Sequence, residues 1–474
     1  MSGSSPALIT AGRRRTAALV TATVVLALLA LGLTAYGTRA YSVVTESSAT
    51  YAEWAWAPVA LILAVQTTLY LLERPYRATS DQQEVLDGRH VAVLMPVFNE
   101  DDGYLRSALR SLLAQSRLPD SVHIVDDGSE CAHRATRRWW CRVARDAGIA
   151  TSWQRTANAG KRHAQVRAAS RCPEADIFVT IDSDAHLAPD ALHEVLQPLA
   201  DPRNQVVAGV VAAHNNRNGF LSRMTDLWYV TTQLVDRSAL SPLGGVMVAS
   251  GSLAAYRAEL LRDHLHSYLG ERFFGRPVAF SDDSMLTLYG LMRGRVVQQP
   301  TAIVFSAMPE TVSHHLRQYL RWMRGSTIRA LWRIRYLPPT HPAYLAQLLR
   351  WFQQLTCTAL LIWLTLLHLH TDTHPPTSLF LVPLVIVSGQ TLRYLTLTRS
   401  DQKLRSQLAT WALTPLALLW SWTVLRPVRW YGLLTCMRTG WGTRADGAEV
   451  VLPIQSADGL QAPKRTGTAV PTGG

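Results

Sequence analysis

Along the chain, long uncharged runs stand at both ends of a stretch in which apolar and polar positions mix. Thr16 to Thr38 carries no charged residue and is long enough to cross roughly 30 Å of hydrocarbon as a helix. Arg13, Arg14 and Arg15 precede it, which predicts a cytoplasmic tail over 1–15. A cleaved signal peptide is the rival reading, but its apolar core would span only about 7–15 residues, so an uncleaved anchor is favoured. A second uncharged run, Trp54 to Leu72, ends at Glu73-Arg74. The two runs predict a pair of transmembrane helices within 16–72. From 79 to 338 no window is apolar enough to span, and this part reads as a cytoplasmic domain.

Two more spans are expected within 345–396, over Phe352–Leu369 and Leu379–Leu392. The linker between them, His370–Ser378, has neither Lys nor Arg and reads as extracytoplasmic. Arg393, Arg399, Lys403 and Arg405 then mark the return to the cytoplasm. The run Leu408–Leu425 raises a parity problem, because as a single span it would leave Arg426, Arg429, Arg438 and Arg444 outside. Pro415 and Pro427 interrupt it. A re-entrant or interfacial segment over 408–437, with both ends cytoplasmic, fits the charges better than a full span. The tail over 451–474 is rich in Gly, Pro and Thr and is expected to be disordered.

Inside the domain the pattern switches between two periods. Val91–Met95, His123–Val125 and Ile177–Ile181 have the length and apolar character of buried strands. Asp102–Gln115 and Ala135–Ala147 have helical spacing. Such alternation predicts an α/β domain with a mostly parallel, Rossmann-like sheet. Ligands in such sheets bind beyond the carboxyl ends of the strands, where the acidic and glycine-containing motifs fall.

Composition sharpens this picture. Of 474 residues, 17% are charged and 48% are apolar, against about 25% charged in ordinary globular chains. Lys+Arg outnumber Asp+Glu 47 to 34, a surplus of 13. A disordered chain and an ordinary soluble enzyme are both excluded. A multi-pass protein of the cell membrane, with its basic residues facing the cytoplasm and anionic ligands, fits. A nucleic-acid binder would be basic without needing so much apolar sequence, so nucleic acid is not expected as a partner. Cys131, Cys141, Cys172, Cys357 and Cys436 are odd in number and widely spread, which argues for reduced thiols rather than disulfides or a zinc site.

Four constellations carry candidate chemistry. Val97, Asn99 and Glu100 follow the first strand, and Asp126-Asp127-Gly128-Ser129 follows the second. Carboxylates there can hold a nucleotide, and equally can make a turn that caps the next helix. Asp182-Ser183-Asp184 ends the Ile177 strand. Its paired carboxylates suit a divalent cation such as Mg²⁺ or Mn²⁺, and a solvated turn is the alternative. Upstream, Lys161 and Arg162 begin a helical stretch and could reach phosphate, although cations there oppose the helix dipole. Ser281-Asp282-Asp283 offers a carboxylate that could take a proton from an attacking hydroxyl. Gln318, Arg321 and Trp322 lie close to one helical face. There an arginine suits diphosphate and an indole suits a sugar ring, while spacing alone also fits an amphipathic helix on the bilayer surface.

Taken in order, these residues resemble the processive family 2 glycosyltransferases of GT-A fold. The resemblance rests on Asp126-Asp127, Asp182-x-Asp184, Asp282-Asp283 and Gln318-x-x-Arg321-Trp322. Ser250-Gly251-Ser252, with Tyr256-Arg257 behind it, is similar to the acceptor-side loop of that group. Phe274-Gly275-Arg276-Pro277 and Trp441-Gly442-Thr443-Arg444, with the arrangement of spans, look most like class I hyaluronan synthases. Ser281 stands where the family usually has Gly, and Ser252 where it usually has Pro.

The resemblance implies that Val97, Asn99, Glu100, Asp126 and Asp127 hold uridine. Asp184 would hold Mg²⁺ or Mn²⁺, Asp182 would bind ribose or assist the metal, and Lys161 and Arg321 would meet the diphosphate. Asp283 would be the general base, beside Asp282. Ser250, Gly251, Arg257, Gln318 and Trp322 would receive the acceptor, and Trp441 and Arg444 (in a gating motif at 441–444) would close over the nucleotide. The implied partners are UDP-GlcNAc, UDP-GlcUA, the growing polysaccharide and the lipid bilayer, with no oligomeric state implied. A chitin or chitooligosaccharide synthase is the nearest rival, since it shares almost every motif. A transferase of single sugars to lipid and a catalytically inactive membrane scaffold are the others.

Overall fold

The computed structural model describes residues 50–371 and 378–440. The uncharged run Thr16–Thr38, the Trp441–Arg444 motif and the 451–474 tail lie outside the described residues.

The chain enters through helix α1 (Thr50–Leu72) and then builds a sheet. The elements that position the site are β1 (Val91–Val97), α2 (Asp102–Leu113), β2 (Ser121–Asp126), α3 (Arg134–Asp146), β3 (Ala150–Arg155), α4 (Lys161–Ala169) and β4 (Ile177–Thr180). They are followed by β5 (His186–Leu187), β6 (Asn204–Ala213), α5 (Phe220–Thr232), β7 (Ala254–Arg257), the pair β8 (Arg272–Phe273) and β9 (Arg276–Pro277), α6 (Asp282–Arg293), β10 (Arg295–Ser306) and α7 (Val312–Tyr336). The eight-stranded sheet runs β3-β2-β1-β4-β7-β6-β10-β5. The pairs β1–β2, β1–β4, β2–β3 and β6–β10 are parallel. β7 is antiparallel to β4 and β6, and β5 to β10. The expected strands are present. The antiparallel β7 between β4 and β6 was not visible as a pattern, because its four residues, Ala-Ala-Tyr-Arg, are too short to show a period.

β1 is buried along its whole length, as a central strand covered on both faces must be. Its period of two divides the core. Val91, Val93, Met95 and Val97 pack with Leu105, Leu109 and Trp140 on one side. Ala92 and Leu94 pack with Ala164 and Ala168 of α4 on the other. The small residues let α4 sit close to the sheet, which sets the position of Lys161 at its first turn. Between β8 and β9, Phe274 and Gly275 both have positive φ (46° and 78°), the backbone of a two-residue hairpin turn whose twist matches its strands.

Beyond the sheet lie α8 (Pro342–Thr371), α9 (Ser378–Thr391), α10 (Leu404–Trp411), α11 (Thr414–Trp420) and α12 (Arg426–Leu434). No single helix among the described residues is long and apolar enough to cross a membrane, but Leu404–Trp411 and Thr414–Leu434 together are, with a 43° bend between them. Pro415 falls in the first turn of a helix, where the missing N–H costs nothing, and Pro427 follows a π turn over Ser421–Leu425 that leads into α12. Both parts of this bent segment rest on the domain. Trp411 of the first part packs against a cluster that holds Met224 and Leu227 of α5 together with Ala417 of the second. At Gly432 of α12 an added Cβ would lie 2.7 Å from the Cβ of Met323 on α7.

One buried ion pair fastens the segment after α9 to the sheet. Arg399 donates to Asp226 Oδ2 at 2.7 Å and to the carbonyl of Ala213 at 2.7 Å, and Tyr394 donates to the same carboxylate oxygen at 2.7 Å. Both charged side chains are fully buried. Removing one partner would strand the other, so Arg399→Met is expected to destabilise the protein by about 3–5 kcal/mol. Adding Asp226→Asn to that variant should recover most of the loss. Thermal midpoints of detergent-solubilised protein test this, and equal midpoints for wild type and Arg399→Met would refute it.

Candidate active site

β1, β2, β4, β6 and β10 point the same way, so their carboxyl ends make one edge of the sheet. The loop entering β7 starts from that edge too, since Ala254 pairs with Thr180 at the end of β4. This is where open α/β sheets take ligands.

The first two motifs meet directly. The carbonyl of Val97 accepts from the backbone N–H of Asp127 at 2.8 Å. Asn99 has φ 45°, in the left-handed region that Asn tolerates. Its N–H donates to Ser129 Oγ and its Oδ1 accepts from Glu130 N–H, both at 2.9 Å. Asp126 accepts from Ser129 N–H at 2.9 Å, and its other oxygen lies 3.4 Å from Arg155 Nε. Asp127 accepts from the N–H groups of Ala159 and Gly160 at 2.9 and 2.8 Å. Asp127 thus places a negative charge at the start of α4, which removes the conflict between Lys161 and the helix dipole. Turn and cap, the plainer reading of this pair, are what these carboxylates make. Glu100 accepts from Ser183 Oγ at 2.7 Å, which latches the loop after β1 to the loop after β4.

Lys161 joins the remaining acidic motifs. Its Nζ lies 2.7 Å from Asp182 Oδ1 and 3.3 Å from Asp282 Oδ2. Gln165 donates to Asp282 Oδ2 at 3.1 Å, and Ser252 Oγ to Asp182 Oδ2 at 2.9 Å. Gly251 passes so close that an added Cβ would lie 3.1 Å from Lys161 Nζ and 3.4 Å from Asp182 Oδ1. Ser306, the last residue of β10, donates to Asp184 at 3.3 Å. Asp283 accepts from Ser284 N–H at 2.6 Å. Lys161, expected to meet phosphate, here contacts two carboxylates. Arg162 turns away altogether and is buried beside Glu271.

This geometry splits the titration of the acidic pair. Burial works against the Lys161 cation, but Asp182 and then Asp282 outweigh it and hold its proton more tightly than usual. Burial would raise Asp282, yet Lys161 and Arg162 pull it below the ordinary aspartate value. Asp283 moves the other way, raised by burial and by its negative neighbour Asp282 against the pull of Lys161. One carboxylate is thereby kept ionised while the next gains basicity.

The Gln318-Arg321-Trp322 face of α7 borders this cluster. The Trp322 ring stacks on Tyr229 of α5, with centroids 5.5 Å apart and planes 17° from parallel. Tyr229 Oη lies 3.1 Å from Ser250 Oγ, which also accepts from Arg237 at 2.7 Å. Gln318 Oε1 is buried with no hydrogen-bond partner among the described residues. At Gly325, one turn beyond Arg321, an added Cβ would lie 3.0 Å from Ser281 Cβ. α7 thus touches the start of α6.

Arg257 does not join the site. It pairs with Ile177 at the opposite end of β4 and donates to the carbonyls of Asn204, Leu199 and Asp201. The four-residue β7 carries it across the sheet, away from the loop it follows in sequence. Trp441 and Arg444 lie outside the described residues. Conversely, Gln165, Tyr229 and Arg237 stand in no motif, and Ser252 carried no expected role, yet all four touch site residues. Only Ser252 left a trace in the sequence, as a departure from an expected proline, and its hydroxyl is what reaches Asp182.

Residues 88–325 match a family model described as "Glycosyltransferase like family 2". The chain is 30% identical over 393 residues to a hyaluronan synthase of Streptococcus pyogenes serotype M3, covering 81% of this chain and 88% of that one. It is 32% identical over 289 residues to an N-acetylglucosaminyltransferase of Rhizobium meliloti, covering 59% and 67%. Among solved structures, a mannosyltransferase of Pyrobaculum calidifontis in complex with GDP-Man and Mn²⁺ superposes with a TM-score of 0.52 at 20% identity, covering 84% of this chain and 99% of that one. This likeness speaks for the fold, and the GT-A architecture with its mixed, mostly parallel sheet is established.

Ser281 has φ 60°, a conformation that costs a residue with a Cβ roughly 1–2 kcal/mol and glycine almost nothing. The extra freedom glycine has when unfolded returns part of this, roughly 0.5–1 kcal/mol. Ser281→Gly is therefore expected to raise stability by up to about 1 kcal/mol without loss of activity. Thermal midpoint and turnover of the variant check this, and a lowered midpoint would contradict it.

Proposed function

We propose that this chain, which belongs to the family 2 glycosyltransferases, is a membrane-embedded, processive, inverting synthase that polymerises UDP-GlcNAc and UDP-GlcUA into hyaluronan and exports the product. Its glycosyltransferase activity follows from the family. The observation that supports the finer reading is the gathering of Asp182, Asp282 and Asp283 around Lys161, with Trp322 alongside, in a chain similar to a hyaluronan synthase over most of that protein's length.

In this reading Val97, Asn99, Glu100 and the Asp126-Asp127 turn form the seat of the uridine. Asp184 and Asp182 present hard carboxylate oxygens at one strand end, a donor set that suits Mg²⁺ or Mn²⁺. Such an ion, when bound, neutralises charge on the departing diphosphate. Lys161 keeps Asp182 and Asp282 in register, and Arg321 meets the phosphates. An acceptor hydroxyl gives its proton to Asp283 as its oxygen bonds the anomeric carbon of the donor sugar and the bond to UDP breaks, inverting that carbon in one displacement. The raised pKa of Asp283 suits a general base, which works best near the operating pH. Tyr229 covers one face of Trp322, leaving the other as a platform for the acceptor sugar, flanked by Gln318, Ser250 and Gly251. Trp441 and Arg444 are proposed to close over the nucleotide.

Charge and contact both support the membrane reading. Glu73, just after α1, pairs with Arg393, just after α9, at 3.5 Å, so those two helices meet the domain from the same side. The bent segment Leu404–Leu434 touches the domain at Ala417 near its middle and at Gly432 near its end, as a re-entrant or interfacial stretch would. A chitin-type synthase is the second reading, favoured by the similarity to the Rhizobium meliloti N-acetylglucosaminyltransferase.

Membranes carrying the protein should form high-molecular-weight polymer only when both UDP-sugars are supplied. Polymer from UDP-GlcNAc alone would replace hyaluronan with the chitin-type reading. Asp283→Asn should insert normally and lose at least 100-fold in activity, and an active variant would remove Asp283 from the reaction. Since the group must be ionised to act, turnover should fall as pH drops through a midpoint above the ordinary aspartate value of 3.8. A profile flat down to that value would argue against it.

A further inference from the structure

Glu271 lies just before β8, outside every motif, yet it is buried with two arginines. Its Oε2 takes Arg162 at 2.5 Å and Arg329 at 2.7 Å. Its Oε1 takes Arg329 and, at 3.0 Å, the indole N–H of Trp332. Exposure of the three charged side chains is 5% or less. Burial would raise the Glu271 carboxyl, but Arg329 and Arg162 hold it below the usual glutamate range.

Each arginine also reaches the backbone that begins α6. Arg162 donates to the carbonyl of Phe280 at 3.0 Å and to that of Tyr268 at 2.8 Å, and Arg329 donates to the carbonyl of Ser281 at 3.2 Å. Those two carbonyls stand immediately before Asp282 and Asp283. Arg162 follows Lys161 on α4, and Arg329 lies two turns beyond Arg321 on α7. Three elements that carry separate parts of the site, α4, α7 and the start of α6, are therefore joined through the Glu271 carboxylate and its two arginines.

We propose that Glu271 is a positioning residue for sugar transfer: through Arg162 and Arg329 it sets the start of α6, and so the place of Asp282 and Asp283 relative to Lys161 and to Trp322. The inference rests on the proposed role of Asp283. Ion pairing alone would only hold the fold together. The two backbone carbonyls are what turn the pair into a device aimed at the acidic residues. Ser281 needs such a hold, because it sits in the left-handed region that its Cβ disfavours. Glu271→Gln keeps the shape and removes the charge that balances two buried guanidinium groups. Small displacements of a reacting group cost rate far more than binding.

The test compares Glu271→Gln and Arg329→Lys with wild type and with Asp283→Asn, all full-length in detergent or nanodiscs. Folded fraction is measured by size exclusion and thermal midpoint, kcat and KM with the UDP-sugars, and UDP affinity by calorimetry. The expected result is a kcat lowered roughly 10–100-fold in folded protein, with UDP affinity within about twofold of wild type. Arg329→Lys keeps the charge but cannot bridge the carboxylate and the Ser281 carbonyl, so it should show the same split. A kcat within twofold in either folded variant, or kcat and UDP affinity falling together, would overturn the inference. Failure of both variants to fold would also overturn it, in favour of a purely structural pair. If Asp283→Asn stays active, the reading of the site fails; if it is dead while both other variants are fully active, only the positioning role fails.

Discussion

A half-buried lysine set among carboxylates is the constraint around which this molecule is arranged. Lys161 opens α4, Asp182 follows β4, and Asp282 opens α6, and the cation lies within salt-bridge distance of both acids. Without it, carboxylates from two loops would face one another at a poorly solvated sheet edge, and their repulsion would drive protons onto them or the loops apart. The lysine also breaks the symmetry of the Asp282-Asp283 pair. It pairs with Asp282, which stays ionised, and the charge kept there raises Asp283. Divergent proton affinities in adjacent carboxylates are how one site comes to hold both a fixed charge and a base.

Other contacts place that lysine and its partners. Small residues on α4 let it lie close against β1, and Asp127 caps its first turn. Gly251 leaves room for the ammonium group, and the Ser252 hydroxyl turns Asp182 toward it. Glu271 and its two arginines fix the backbone ahead of Asp282 from behind. On the open side, Tyr229 sets the plane of Trp322 and connects it through Ser250 to the loop beside Lys161. Each is a short-range contact between segments far apart in sequence, so the site stands only if the sheet order is right.

Some residues read one way in sequence and another in space. Arg399 reads in sequence as a marker of membrane sidedness, but it is buried on Asp226 and ties the segment after α9 to the end of β6. A positive charge near an apolar run carries the same signal whether it faces lipid headgroups or a buried acid. Arg257 was assigned to the acceptor because it follows the Ser250 loop, yet one short antiparallel strand takes it to the far end of the sheet. Asp126 and Asp127 offered a binding role or a turn, and the observed hydrogen bonds are those of turn and cap. Glu271 gave no sign at all, because an isolated glutamate in a loop looks like any solvated one.

By itself the sequence determined the alternation of strands and helices, the loops that bear acidic groups, and the grouping of uncharged runs outside the domain. These depend on residue type and local period, which the chain displays directly. Tertiary structure alone decided which charges meet. Lys161, Asp182 and Asp282 come together because parallel strands deliver their loops to one edge, and Arg257 is lost from the group because one strand runs the other way. Strand direction and pairing order set distances between residues a hundred positions apart, and no local pattern encodes them. The balance of buried charge is a property of those distances, and with it comes the chemistry available to Asp283.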